Sequence, residues 1–211
     1  MRMSTSEPID LDLRCRCGTV RGSVRSLSPS ACTRVVCYCH DCRAFVRHLE
    51  RLDLLDAHGG SDIFQVAPAQ VTLSAGLDQL ACVRLSPSGM IRWYARCCQT
   101  PLGNTMSGRV PFVGLSPALI AEALTARGRS TDDVLGRAVG VQGRSGTPTP
   151  APGAHASAPL GFVLRVVKNL GTWWLTGRGQ PSPYFEPSGR PRAEPMVLTP
   201  EARARLADAA S

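Results

Sequence analysis

The sequence predicts a mainly β protein of the α+β class, with helices added toward the C-terminus. Between about residues 11 and 105, short β-type runs alternate with turns, and beyond them apolar residues recur at helical spacing. A chain of 211 residues is long enough for one domain with a substantial core. The 43% of hydrophobic residues and the mean hydropathy of −0.04 are typical of a soluble globular protein.

The predicted strands are short and end in turns. They cover residues 19–24, 70–73, 81–85 and 91–94. The S-P-S-G turn that separates the last two runs predicts a hairpin. A hairpin there would place Arg96, Cys97 and Cys98 just past its second strand, where a metal knuckle could form.

We divide the chain into a zinc-binding β domain at 11–115 and three segments after it. Ser116 and Pro117 are an N-cap and first-turn signal, which predicts a short helical extension over 116–140. Residues 141–159 are rich in Pro, Gly and Ala, which predicts a flexible loop. Residues 160–211 contain an amphipathic helix and a tail that ends in a short helix.

The helix predicted over 160–176 has one apolar and one polar face. The apolar face comprises Leu160, Val163, Val167, Leu170 and Trp174, and the polar face Arg165, Lys168, Asn169, Thr172 and Thr176. Its charges and its length of about 17 residues argue against a transmembrane span. We expect the helix to dock on the β core, and the alternative is weak contact with a membrane surface.

The charge pattern and the N-terminus narrow the possible partners and location. The net charge of +8 is carried almost wholly by scattered arginines, since Lys168 is the sole lysine, and this argues against a nucleic-acid partner. Residues 1–13 lack the apolar stretch of a signal peptide, so we expect a cytoplasmic protein. In a reducing compartment, nine closely grouped cysteines indicate metal or redox chemistry.

Seven cysteines fall into three groups that predict zinc sites. The groups are Cys15 and Cys17 in C-R-C-G, Cys37, Cys39 and Cys42 in C-Y-C-H-D-C, and Cys97 and Cys98 in R-C-C-Q-T-P. The first and third groups together offer four sulfurs, enough for a closed structural site. The middle group offers three, which leaves one zinc position open, as in catalytic sites. One or two zinc ions are therefore expected.

Other cysteines and histidines are weaker candidates. Cys32 and Cys82 stand alone in the sequence, so we expect them in the core. His40 could be a fourth ligand of the middle group, but in an extended backbone its side chain would point away from those of its neighbours.

The order of these motifs resembles the glutathione-dependent formaldehyde-activating enzyme and centromere protein V family. The motifs are C-x-C-G at 15–18, C-x-C-x-x-C-R at 37–43, and S-G-x-x-R-W followed by Cys-x-T-P-L within 88–102. The resemblance covers roughly residues 11–105 and implies a β-tent fold of small antiparallel sheets around two zinc sites. It implies a structural site with Cys15, Cys17 and Cys98 as ligands. It also implies a second site at Cys37, Cys39 and Cys42 that a glutathione-type thiol or its adduct can approach.

The third motif departs from the family pattern C-x-x-C-G-T-P-L, because this sequence reads A-R-C-C-Q-T-P-L. Ala95 replaces the first cysteine and Gln99 replaces the glycine. Cys97 is an additional neighbour that could supply the fourth ligand if the turn is rebuilt.

The expected function is that of a carbon–sulfur lyase acting on a glutathione-type or other small thiol adduct at the three-cysteine site. Asp41 could assist the reaction, and Arg43 and Arg96 could pair with carboxylates of the ligand. Two alternatives remain open: a non-catalytic zinc-binding interaction module, and a thiol-based redox or metal sensor. The sequence specifies neither the substrate nor the oligomeric state.

Overall fold

The computed structural model describes residues 7–147 and 150–208, which form strands in two sheets and five helices. The strands are β1 Ile9–Arg14, β2 Arg21–Leu27, β3 Thr33–Cys37, β4 Ser61–Val66, β5 Val71–Ala75, β6 Leu80–Arg84, β7 Ile91–Ala95, β8 Thr100–Thr105, β9 Val113–Leu115, β10 Val139–Val141 and β11 Met196–Val197. The helices are α1 His40–His48, α2 Ala121–Ala126, α3 Thr131–Leu135, α4 Leu160–Leu175 and α5 Pro200–Asp208. This mainly β, α+β architecture confirms the predicted fold class.

Both sheets are built mainly from antiparallel pairs. The smaller sheet has the strand order β1-β2-β5, and the larger has the order β10-β3-β4-β9-β8-β7-β6-β11. The two edge strands of the larger sheet, β10 and β11, pair in parallel with β3 and β6. The predicted hairpin is β6–β7, with Leu80 opposite Ala95. It delivers the chain into a tight turn before β8.

The two sheets share one hydrophobic core. In β1, Leu11 and Leu13 are buried while Asp10 and Asp12 face solvent, so the strand alternates as a half-buried strand should. Leu11 and Leu13 belong to the same buried cluster as Trp93 of the larger sheet. The apolar side chains of the smaller sheet therefore help to close the core that supports the larger one.

The P-S-P-Y-F segment at 181–185 covers this core. The rings of Tyr184 and Phe185 lie 5.1 and 5.8 Å from that of Trp93. The hydroxyl of Tyr184 donates to the carbonyl of Leu102 at 2.6 Å, which satisfies its buried polar group.

Helix α4 is rotated relative to the predicted docking face, so that most of the predicted apolar stripe is exposed and Leu170 alone of its members is half-buried. Trp173 is only 5% exposed, whereas Leu160 and Trp174 of the predicted docking face are 72% and 70% exposed. Arg165 donates to the carbonyl of Cys32 at 2.8 Å, and Asn169 Nδ2 donates to Thr33 Oγ1 at 3.0 Å. The inner side of the helix therefore comprises the buried indole of Trp173, these two polar side chains and the half-buried residues Phe162, Val166 and Leu170.

The other segments after residue 115 lie around the β core. Pro117–Leu119 forms a 3₁₀ turn before α2, and the Ser116 hydroxyl accepts from the Ala118 N–H at 3.4 Å, in agreement with the predicted cap. Within 141–159, Gly143 N donates to the carbonyl of His155 at 2.9 Å. The flexibility of that segment stays a prediction.

The closing helix, α5, packs against α1. Arg47 Nη1 donates to the carbonyl of Leu206 at 2.9 Å, and Arg203 pairs with Asp41 at 3.1 Å. The predicted terminal helix is thus present as far as Asp208, and residues 209–211 lie outside the described part of the chain. In the part that is described, no helix is long and apolar enough to cross a membrane.

Candidate metal centres

The first and third cysteine groups meet at a junction between the two sheets. Cys15 and Cys17 lie in the turn between β1 and β2, and Cys97 and Cys98 lie in the turn between β7 and β8. Gly18 has a φ of 78°, the left-handed conformation that lets the first turn fold back on itself. The four sulfurs lie within 4.8 Å of one another. We refer to them as the four-cysteine cluster.

The sulfur separations in the four-cysteine cluster match those of a tetrahedral thiolate site. Cys15 Sγ lies 3.5 Å from Cys17 Sγ and 3.9 Å from Cys97 Sγ. Cys17 Sγ lies 3.4 Å from Cys97 Sγ, which in turn lies 3.9 Å from Cys98 Sγ. A tetrahedron with metal–sulfur bonds of about 2.3 Å has sulfur–sulfur edges of about 3.8 Å. The residues therefore fit a closed metal site.

A rebuilt turn brings the adjacent cysteines to one cluster. Gln99 N donates to the carbonyl of Ala95 at 2.8 Å and closes the turn. Gln99 has a φ of 55°, so it adopts the left-handed conformation expected of the glycine that it replaces. Its Nε2 donates to the carbonyl of Arg96 at 3.1 Å. The turn thus places the sulfurs of both Cys97 and Cys98 in the four-cysteine cluster.

The thiols of the four-cysteine cluster differ in acidity. Hydrogen bonding to Thr19 lowers the pKa of Cys17 to about 6. Burial of its sulfur and the neighbouring Cys17 thiol raise the pKa of Cys97 to about 12. Since metal binding requires thiolates, the acidic Cys17 is the natural first ligand to lose its proton.

The middle group forms a second cluster where β3 leads into α1. Cys37 ends β3, Cys39 is the N-cap of α1, and Cys42 lies in its first turn. The three sulfurs lie within 4.8 Å of one another, and Cys39 Sγ accepts from the Cys42 N–H at 3.4 Å. The positive end of the helix dipole therefore points at this three-cysteine cluster and favours thiolates.

Arg92 is a buried cation near the three-cysteine cluster that the sequence analysis did not single out. It is 4% exposed, and its guanidinium lies 5.5 Å from the centre of the Phe45 ring. Hydrogen bonds from the thiols of Cys37 and Cys42 lower the pKa of Cys39 to about 2, and the charge of Arg92 acts in the same direction. The sequence feature that could have indicated Arg92 is its position in the S-G-x-x-R-W motif, next to Trp93 on the same predicted strand.

The three-cysteine cluster has no fourth protein ligand among residues 7–147 and 150–208. His40 is the first residue of α1, so the extended backbone assumed for it is wrong. Its Nδ1 instead lies 3.5 Å from Asp41 Oδ1. The cluster therefore has the three-donor composition expected of an open site.

A cavity of about 410 Å³ reaches the residue next to Cys39. His40 and the cationic Arg203 are polar residues of its lining, Leu85, Pro87 and Leu198 are among the apolar ones, and none of the three cysteines lines it. Asp41 is held by its ion pair with Arg203 and is not a free carboxylate.

The two arginines proposed as ligand partners lie elsewhere. Arg43 is buried in α1, where its Nη1 donates to the carbonyl of Ser145 at 2.6 Å. Arg96 is on the turn that carries Cys97 and Cys98, at the four-cysteine cluster. Neither arginine lines the cavity beside His40. Cys32 and Cys82 are both buried, as expected for core residues.

Comparison with known proteins identifies a family but no established activity. Residues 7–195 match the model of a family of unknown function, DUF6151. No curated protein matches the chain. A crystal structure of a Rhodobacter sphaeroides protein from a structural genomics programme is 16% identical, with a TM-score of 0.41, over 62% of this chain and 100% of that one.

Proposed function

This chain belongs to the family of unknown function DUF6151, and we propose that it is a zinc protein with carbon–sulfur lyase activity on a small thiol adduct. The observation that carries the proposal is the three-cysteine cluster, whose sulfurs lie within 4.8 Å of one another. Three thiolates at one point, with a fourth position left for an outside ligand, is the composition of a catalytic zinc site.

Zinc is the metal that the donors favour. Seven cysteine sulfurs in two clusters are soft ligands, and the near-tetrahedral separations in the four-cysteine cluster suit an ion with no preference for square or octahedral geometry. In this proposal Cys15, Cys17, Cys97 and Cys98 hold a structural ion. Cys37, Cys39 and Cys42 hold the second ion.

The surroundings of the three-cysteine cluster support an anionic ligand in the open position. A bound zinc ion would supply a Lewis-acidic position at which a thiol sulfur loses its proton more easily. The three thiolates and the ion carry a net charge of −1, which the buried Arg92 and the N-terminus of α1 offset. This balance lets the cluster accept a further thiolate at a lower electrostatic cost.

The cavity beside His40 supports a small thiol adduct as the substrate. Arg203 can pair with a carboxylate of a glutathione-type molecule, and the apolar lining suits its carbon chain. The motif resemblance to the formaldehyde-activating family supports the same substrate class. In the lyase direction, the hydroxyl of a hemithioacetal gives its proton to His40 and its C–O bond becomes a carbonyl. The carbon–sulfur bond breaks, and its electron pair leaves with the sulfur as a thiolate.

The test begins with metal stoichiometry on protein purified without chelator. We expect two zinc ions per chain in the wild type and one in the triple variant Cys37→Ser, Cys39→Ser, Cys42→Ser, with an unchanged circular dichroism spectrum. One ion in the wild type, or collapse of the triple variant, would count against an open second site.

The activity test uses the hemithioacetal of glutathione and formaldehyde as the probe. We expect the wild type to accelerate the interconversion of adduct and free thiol, and the triple variant to lose that acceleration. A control variant, Cys82→Ala, alters a cysteine outside both clusters and should retain the activity. If two zinc ions are bound but no adduct is turned over, the non-catalytic zinc module becomes the better description.

A further inference from the structure

The outward face of α4 is a continuous band of exposed apolar side chains. We call this band the α4 apolar face; its members are between 40% and 78% exposed and are Leu160, Val163, Leu164, Val167, Trp174 and Leu175. The first four recur three or four residues apart, and Trp174 and Leu175 continue the stripe two turns after Val167, beyond Gly171. Their combined area is on the order of several hundred Å², as large as the patches that mark interaction sites on monomeric proteins.

The orientation of the helix is fixed by polar contacts on its inner side. Arg165, Asn169 and Trp173 are spaced four residues apart and all face the protein. Arg165 and Asn169 bond to Cys32 and Thr33, and Trp173 is buried. Turning the apolar stripe inward would break these hydrogen bonds and expose the indole. The protein therefore holds the apolar side of this helix outward.

The stretch of sequence that contains the α4 apolar face is positively charged. Between Asp133 and Glu186 the sequence has no acidic residue, whereas it has Arg137, Arg144, Arg165, Lys168 and Arg178. Lys168 lies one turn after Leu164 and is exposed at the edge of the apolar face. An apolar stripe with a lysine at its edge and no acidic residue on its helix complements a surface that is apolar inside and anionic outside.

We propose that the α4 apolar face binds the surface of a membrane that contains anionic lipids, with the helix lying in the plane of the interface. A 16-residue helix is about 24 Å long, and with one side held to the protein it can insert only its outer side chains. A second copy of the chain fits less well. Pairing two α4 helices by this face would bring the lysines of both copies together with no acidic partner on either helix.

Co-sedimentation of the full chain with vesicles tests the proposal. We expect binding to vesicles of equal parts phosphatidylcholine and phosphatidylglycerol, weakening as salt is raised, and little binding to phosphatidylcholine alone. Tryptophan fluorescence should shift to the blue on binding, because Trp174 is exposed while Trp93 and Trp173 are already buried. Absence of binding to the anionic vesicles would overturn the proposal.

Matched variants distinguish vesicle binding by the α4 apolar face from nonspecific binding by other exposed apolar residues. The double variant Leu164→Gln, Val167→Gln should lower the vesicle partition coefficient by about tenfold or more and leave thermal unfolding unchanged. Leu52→Gln and Leu77→Gln change leucines that are 61% and 50% exposed elsewhere, and these controls should bind like the wild type. Equal losses in the controls would refute the assignment to α4. The proposal would also be refuted if the wild type did not bind vesicles but formed a concentration-dependent dimer that the double variant abolished.

Discussion

At the scale of single residues, Arg92 places a positive charge near the three-cysteine cluster and favours the thiolate of Cys39. Its side chain comes from β7, on a part of the chain remote from β3 and α1, and it is almost completely buried. Its Nη1 lies 3.5 Å from Asn104 Oδ1, and its guanidinium packs against Phe45. A buried cation of this kind can offset the charge of nearby thiolates without being a ligand itself.

We expect Arg92→Met to weaken zinc binding at the three-cysteine cluster by about 10- to 100-fold, the range typical of residues behind the ligands. Arg92→Lys should retain part of the affinity, since it keeps the charge but not the planar group. Competition with a chromophoric chelator measures the affinity, and Arg190→Met, at an exposed ion pair, is the control. Wild-type affinity in a folded Arg92→Met variant would show that the charge is unimportant.

A second residue-scale prediction concerns the adjacent cysteines. Because the sulfurs of both Cys97 and Cys98 lie in the four-cysteine cluster, Cys97→Ser and Cys98→Ser should each lower the affinity of that cluster for its metal ion. Cys82→Ala, in the core, should leave the stoichiometry unchanged. Elemental analysis after dialysis against a weak chelator measures the bound metal. If one of the two serine variants keeps the ion as tightly as the wild type, that cysteine is a neighbour and not a ligand.

At the scale of elements, α4 shows how a helix can be anchored by few contacts. Its two adjacent tryptophans have opposite environments, since Trp173 is buried beside the β core and Trp174 faces solvent. The pair offers a test of how the helix docks, because the two side chains are chemically identical and adjacent in the sequence and differ only in burial.

Trp173→Ala should lower the free energy of unfolding by about 3 kcal/mol or more, the usual cost of truncating a buried aromatic side chain. Trp174→Ala should change it by less than about 0.5 kcal/mol, as at other exposed positions. Urea unfolding followed by circular dichroism measures both. Equal effects of the two substitutions would mean that the helix is docked in another orientation.

Local sequence patterns predicted some elements correctly, whereas the placement of others depends on contacts with residues far away in the sequence. The β6–β7 hairpin and the positions of Cys97 and Cys98 after it follow from turn residues and ligand spacing, which are local. The inner face of α4 depends on Cys32 and Thr33, more than 130 positions away, which no helical periodicity reveals. The extended backbone assumed for His40 is wrong because three cysteines in six residues hide the start of α1. Arg92 was missed because its role depends on the approach of β7 to that helix.

At the scale of the whole molecule, the four-cysteine cluster links the two sheets. It joins the β1–β2 turn of the smaller sheet to the β7–β8 turn of the larger one, between residues such as Cys15 and Cys97 that are 82 positions apart. The three-cysteine cluster, by contrast, lies within one short stretch at β3 and α1. The proposed structural ion therefore constrains the fold much more than the proposed catalytic ion.

Removal of metal should reveal this difference. In the triple variant Cys37→Ser, Cys39→Ser, Cys42→Ser, a strong chelator can act only on the four-cysteine cluster, and we expect it to lower the Tm by about 10 °C or more. The reason is that binding energy at a site absent from the unfolded chain is folding energy, and several kcal/mol lost from a chain of this length shift the Tm by that amount. Adding Cys97→Ser to the triple variant is the control, because the chelator should then have little further effect. Differential scanning calorimetry with and without chelator measures the Tm. An unchanged Tm on removal of a measured ion would mean that the shared core alone holds the two sheets together.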